Sequence, residues 1–370
     1  MSASANLAER LRARIEHEGP ISFYEWMKAA LYDEREGYYC RDDRVPQGRA
    51  GDYRTAPEIS SLFAATFADY VAMLHTDLKW PGSWTVFEIG AGSGQFAHGL
   101  LSHLRKYEPK VFASTNYVID EIGAGARSRA AHRISEFADR VSFQRLCNND
   151  TAPAVGIIFS NEFIDAFPVH RVVMSAGTLR ELCVGSSTNG FTWVECDLQP
   201  EVAEYCRRTA MHLSEGQIAE VNLEAEKFVS RASALLDRGY LVTVDYGAER
   251  DELWRSPDRR SGTLRAFYRH QMVADVLARP GEQDLTTTID WTQIKEAGER
   301  AGLRTIRFER LDQFIGPSLG AIMGRMLQEK HDNVEMLRFT TSARELFLPN
   351  GLASYFHVLV QEKVGRPPTS

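Results

Sequence analysis

The chain has 370 residues, a net charge of -7, 44 % hydrophobic and 25 % charged residues, which suits one large α/β domain with appendages, or two domains. That balance excludes a disordered chain and offers no general attraction for nucleic acid or anionic membranes. Five scattered cysteines without a CxxC pair speak against a zinc site or a disulfide framework and for a reducing compartment.

The N-terminus lacks the apolar run of a secretory signal, and Glu9, Glu16 and Glu18 argue against a transit peptide. Leu7, Leu11 and Ile15 recur at helical spacing and predict a first amphipathic helix. ISFYEWMKAALYD predicts a second, with Ser22 as N-cap, Glu25 completing a capping box, and Phe23, Trp26 and Met27 on its core face. Residues 36–60, dense in Gly, Asp, Arg and Pro, form a connection long enough to be functional or a lid. Helical periodicity resumes over 59–78. No stretch approaches the roughly 18 apolar residues of a membrane span, so a cytoplasmic protein is expected.

From Thr85 the pattern alternates. TVFEIG, NYVID, RVSFQRL, VGIIFSN and GYLVTVDYG predict five strands, with HGLLSHLRKY and ARSRAAHRISEFAD as helices between the first three. Such alternation implies a doubly wound parallel α/β sheet of Rossmann type. Between the fourth and fifth strands an antiparallel hairpin (RVVMSAGTLRELCVG with FTWVECDL) precedes two helices. A polar insert opens at ERDELWRSPDRRSG, whose arginines make a solvated loop or dock an acidic partner. A helix over 291–302 and the strands LRTIRFERL and SYFHVLVQEK complete the sheet. The expected division is 1–84 (helices and lid), 85–247 (core, with an insertion at about 171–236), 248–290 (insert) and 291–370 (completion).

The chemistry starts at VFEIGAGSGQF, residues 86–96. Gly90, Gly92 and Gly94 form GxGxG rather than GxGxxG, and no GK[ST] follows, which excludes a P-loop there. A dinucleotide pyrophosphate would sit on the helix N-terminus, where the anionic Glu88 would oppose it. S-adenosylmethionine reverses that argument, because its ammonium attracts Glu88 while loop amides take its carboxylate. The next strand ends in Asp120 and Glu121, and Glu121, at the exit, is the better candidate for ribose hydroxyls.

With these pieces placed, the sequence resembles the MidA-like branch of class I S-adenosylmethionine-dependent methyltransferases, which includes the mitochondrial complex I assembly factor regarded as a protein arginine methyltransferase. The resemblance is carried by GPISFYEWM, EGYY, GDYRTAPEIS, EIGAGSG, SNEFIDAFPVHR, VDYG and GTLRAFYRH. It implies S-adenosyl-L-methionine as cofactor and places GDYRTAPEIS against it, with Asp52, Thr55 and Glu58 as polar contributors. Three places depart from the branch: Thr288 in DLTTTIDW where a histidine is usual, ERLDQFI without the TQ, and LASYFHVL in place of MGxxFKVL.

Methyl transfer needs a positioned nucleophile and little water, and neither a metal nor a covalent nucleophile. An arginine acceptor stays protonated, so carboxylates must orient it. Glu162 and Asp165, three apart on a turn or short helix, are the candidates, with Asn161 as orienter, Asp245 and Tyr246 beside them, and His170 or His270 as bases. The expected acceptor is a protein side chain, with arginine as the candidate. The rivals are a small-molecule methyltransferase and an assembly factor that keeps the cofactor site without turnover. Neither nucleic acid nor membrane is an expected partner, and a homodimer is compatible with the sequence.

Overall fold

The computed structural model of the chain describes residues 5–41, 61–146, 152–188, 190–269, 271–328, 339–341, 343 and 352–365. Its contacts divide the chain into two compact units, one of residues 47–163, 229–247 and 295–370, the other of 1–46, 164–228 and 248–294. This partition differs from the one expected from sequence. The first two helices group with the inserted strands, and the helix that follows groups with the nucleotide-type sheet.

The main path of that sheet has seven strands among the described residues: β1 (Trp84–Ile89), β2 (Thr115–Asp120), β3 (Val141–Phe143), β4 (Ala154–Asn161), β5 (Leu236–Ala248), β6 (Arg304–Arg310) and β7 (Phe356–Lys363). Their order is β6-β7-β5-β4-β1-β2-β3. The first five run parallel, and β7 is antiparallel to both β5 and β6. Register aligns Ile89 with Asp120 and with Ser160, and Asn161 with Val244. The carboxyl ends of β1, β2, β4 and β5 therefore lie side by side, where ligands bind in open α/β sheets.

Aromatic packing fixes that edge from below. Phe96 of helix Gln95–Tyr107 stacks on Phe159 of β4 with ring centroids 4.1 Å apart. Phe67 of helix Ser61–Asp77 stacks on Phe314 at 4.9 Å. Phe314 belongs to helix Leu311–Gln328, which is absent from the elements expected from sequence and carries Pro317 in its interior. Its buried Phe314, Ile315 and Ile322 stabilise it through tertiary contact, overriding a weak local propensity.

The other unit begins with helices Leu7–Glu18 and Phe23–Tyr32. Phe23, Trp26 and Met27 are fully buried, as their core assignment requires. Ser22 caps the second helix by accepting from the Glu25 amide at 3.2 Å, but the Glu25 carboxylate takes the Ser22 hydroxyl and Arg14. The reciprocal capping box sits on the first helix instead, between Asn6 and Glu9. The segment RVVMSAGTLRELCVG is two strands, His170–Ser175 and Thr178–Ser187. They are joined at Ala176 and Gly177, both with positive φ (48° and 76°), the signature of a tight two-residue hairpin. Strands Gly190–Cys196 and Ile218–Val221 extend this antiparallel sheet.

A buried ion pair ties this unit together. Arg171 Nε donates to Glu220 Oε1 at 3.1 Å with both side chains under a tenth exposed. Glu220 Oε2 also accepts from the Thr263 amide and hydroxyl, and Arg171 Nη2 donates to the Ser261 carbonyl. A Cβ at Gly262 would fall 2.2 Å from Glu220 Oε1, so VHR and GTL are fitted to each other around one carboxylate. Glu220→Ala should cost about 3–5 kcal/mol, the penalty for leaving a buried guanidinium unpaired. Urea denaturation checks this, and a loss below about 1 kcal/mol would show the pair to be ornamental.

Candidate active site

β1 runs into a loop in which Gly90, Gly92 and Gly94 all have positive φ, at 71°, 53° and 73°. Glycine adopts these angles without the Cβ penalty. Space is limiting as well: a Cβ on Gly90 would lie 2.8 Å from the Phe163 ring, and one on Gly94 2.9 Å from the Ala130 Cα. Gly94 then caps helix Gln95–Tyr107 without a side-chain hydrogen bond, so the first-turn amides keep their capacity for an anion. Arg133 Nε donates to the Ser93 carbonyl at 3.0 Å, pinning the loop to the helix after β2.

The two acids at the end of β2 part company. Asp120 is spent on structure: it accepts from the Leu146 amide at 2.9 Å and pairs with Arg145 at 2.9 Å. Glu121 turns to the glycine loop. Its Oε2 accepts from the Gly92 amide at 2.8 Å and its Oε1 from the Gly123 amide at 2.9 Å. Only 8 % of Glu121 is exposed, and burial raises its carboxyl above the usual range despite those amides.

Glu88 is held one step deeper. It is 4 % exposed, and its Oε2 accepts from the hydroxyl of the fully buried Tyr117 at 2.7 Å. Burial pushes its carboxyl up to about 8, against the pull of that hydroxyl. With no cation beside it among the described residues, the carboxyl favours its protonated form at neutral pH. The unfolded chain loses this proton first, from 4.5 upward. Glu88 therefore contributes stability that is present below about pH 4.5 and lost as the pH rises through about 8, a loss on the order of 5 kcal/mol. Glu88→Gln should remove that loss, so the variant gains on the cofactor-free parent between pH 5 and 8. Guanidinium denaturation at pH 5, 6.5 and 8 reads the difference, and parallel curves would refute it.

At the exit of β4 stand Asn161 and Glu162. Glu162 has φ 48°, a conformation that costs non-glycine residues about 1–2 kcal/mol and is characteristic of functional sites. The turn is over-determined: the Glu162 amide donates to the Val244 carbonyl at 2.9 Å, and the Phe163 amide to Asp245 Oδ2 at 3.3 Å. Asp245, fully buried, accepts from the Tyr246 amide through its other oxygen. It thus clamps the exits of β4 and β5 and acts as a positioning residue. Asn161 Nδ2 donates to Glu162 Oε1 at 3.1 Å, which leaves Asn161 Oδ1 shielded from water with no hydrogen-bond donor among the described residues. A buried acceptor left without a donor costs about 1–3 kcal/mol, which makes this oxygen a candidate to meet a ligand N–H.

Other expected residues fall elsewhere. Asp52, Thr55, Glu58 and His270 lie outside the described residues. Asp165 belongs to the second unit, is 4 % exposed, and lends its carbonyl to the Thr287 amide at 2.9 Å. The left-handed Glu162 breaks the helical spacing by which the two acids would share a face. His170 is built into the inserted sheet, bonded to the buried Glu181 at 2.8 Å and stacked on Tyr24. Among the described residues no group of three or more His, Cys, Asp or Glu is arranged to hold a metal ion, and no helix is long and apolar enough to cross a membrane. Nothing local in the sequence marks Tyr117 or Phe163 as part of the site. Which strand neighbours β1, and in what register, decides that a tyrosine meets Glu88, and a single strand's pattern does not carry that.

Residues 66–309 match the model of a family of S-adenosyl-L-methionine-dependent methyltransferases. A crystal structure of a protein from Burkholderia thailandensis bound to S-adenosyl-homocysteine is similar, with TM-score 0.82 and 30 % identity over 96 % of this chain and 92 % of that one. Among curated relatives, the Drosophila melanogaster mitochondrial protein named protein arginine methyltransferase NDUFAF7 homolog is 25 % identical, covering 81 % of this chain and 72 % of its own length. The human protein arginine methyltransferase NDUFAF7 is 21 % identical, over 79 % and 69 %. The cradle fits the cofactor: three glycines of positive φ turn the loop tightly into the helix, helix amides suit a carboxylate, Glu121 suits hydroxyls, and the buried Glu88 suits an ammonium. The chain belongs to this family of S-adenosyl-L-methionine-dependent methyltransferases, with S-adenosyl-L-methionine as its cofactor.

Proposed function

We propose that the enzyme methylates a nitrogen of a protein side chain, with arginine as the acceptor. When bound, S-adenosylmethionine supplies a methyl carbon activated by the sulfonium. The chain's own task is to hold the nucleophile in line, keep water out and accommodate the acceptor's positive charge. The observation that carries the reading is the pair at the exit of β4. Asn161 carries a buried side-chain oxygen without a hydrogen-bond donor among the described residues, its amide being bonded to Glu162, and Glu162 adds a carboxylate on a left-handed backbone. Both groups accept N–H, and a guanidinium is a fork of N–H donors that pairs with carboxylates in two parallel bonds. Support also comes from the names of the relatives, which are protein arginine methyltransferases.

The test is to incubate the purified protein with methyl-labelled cofactor and a cell extract, separate proteins from small molecules, and hydrolyse the protein fraction. Label in methylarginine is the expected result. Label confined to the small-molecule fraction would replace arginine with a metabolite, and no label beside intact cofactor binding would favour the assembly-factor reading.

A further inference from the structure

The buried carboxyl of Glu88 has one hydrogen-bond partner among the described residues, the Tyr117 hydroxyl, and no cation. The titratable groups acting on it are Tyr117 and, by charge, Glu121 on the same neighbouring segment. From the other flank β4 aligns Phe159 with Glu88 and Ser160 with Ile89, neither of them charged. An ionised Glu88 would thus face a second acid through low dielectric with a single neutral donor to steady it. That arrangement is unfavourable until a positive charge arrives.

We propose that Glu88 holds a proton in the cofactor-free protein and releases it to solvent when the cofactor's ammonium docks, with Tyr117 setting the pH at which this exchange is easiest. The balance is simple: the carboxylic acid and the ammonium give a carboxylate–ammonium pair and one proton in the buffer. Tyr117 acts through Glu88 rather than on the cofactor. Its hydroxyl stabilises the carboxylate, and so brings ionisation within reach of neutral pH. The inference rests on the cofactor, not on the acceptor, so the two stand or fall separately.

Calorimetry of S-adenosylhomocysteine binding in buffers of different ionisation enthalpy counts the protons. The ligand's amino group stands beside a free carboxylate and so holds its proton more tightly than a peptide N-terminus does, so at pH 6.5 the ligand arrives charged and about one proton should be released. Near pH 9 Glu88 is already ionised before the ligand arrives, and the release should fall toward zero. Glu88→Gln should bind at least tenfold more weakly with no release at pH 6.5. Tyr117→Phe should keep the release but move the pH of tightest binding upward by about one unit, which a purely structural role for the ring would not do. Tight binding at pH 6.5 with no proton release, or release that persists in Glu88→Gln, would overturn the proposal. Should Glu88→Gln fail to fold, the parent and Tyr117→Phe decide it alone.

Discussion

Gly92→Val should abolish measurable S-adenosylhomocysteine binding, raising Kd at least a hundredfold, while the protein stays folded. Gly92 has φ 53° and gives its amide to Glu121 Oε2 at 2.8 Å. Valine in the left-handed region costs of order 1–3 kcal/mol, and escape from that strain turns the amide and swings the loop. The loss therefore reaches Glu121 as well as the loop, and a hundredfold corresponds to about 2.8 kcal/mol. A control comes from Gly177, which also has positive φ (76°) but sits in a hairpin turn where an added Cβ would meet nothing within 4 Å. Gly177→Ala should lose about 1 kcal/mol of stability and leave binding unchanged. Calorimetry on both variants, with circular dichroism for the fold, separates backbone strain in general from strain in the cradle. Binding within threefold of the parent in Gly92→Val would mean that the cofactor does not use this loop.

Much of this site was legible because it is local. GAGSG fixes a strand-to-helix turn within six residues, and Glu88 and Glu121 flank it at strand positions that an alternating pattern reveals. The sheet strands were legible for the same reason, as short apolar runs bounded by turn residues. What the sequence withheld depends on contacts between distant segments. Helix Leu311–Gln328 carries Pro317, and its stability comes from Phe314 against Phe67, 247 positions apart. The ionisation of Glu88 depends on Tyr117, 29 residues away, and the roles of Asp120 and Asp245 on amides supplied by other strand exits. Left-handed backbone at Glu162 is hidden too, since nothing in SNEFIDAF requires a glycine-like angle at a glutamate. Where a residue bends against its own preference, the cause lies in the structure that holds it.

Glu162 offers the sharper test, because strain and chemistry predict opposite signs there. Glu162→Gly relieves the left-handed penalty of about 1–2 kcal/mol, offset by the extra chain entropy of glycine, about 0.5–1 kcal/mol. Its stability should therefore equal the parent's or exceed it by up to about 1.5 kcal/mol. Glu162→Ala keeps the strained angle and drops the carboxylate, so it should be slightly less stable than the parent. Both lose the carboxylate proposed to receive the acceptor's N–H, and methyl transfer should fall at least a hundredfold in each, with S-adenosylhomocysteine binding within threefold. Equal loss of transfer at unequal stability would separate the carboxylate's role from that of the backbone turn. If Glu162→Gly retained turnover, the turn and not the carboxylate would be what the acceptor needs. The angle at this residue would then serve to aim Asn161 and the Phe163 ring, and the orienting acid would have to be sought elsewhere on the sheet edge.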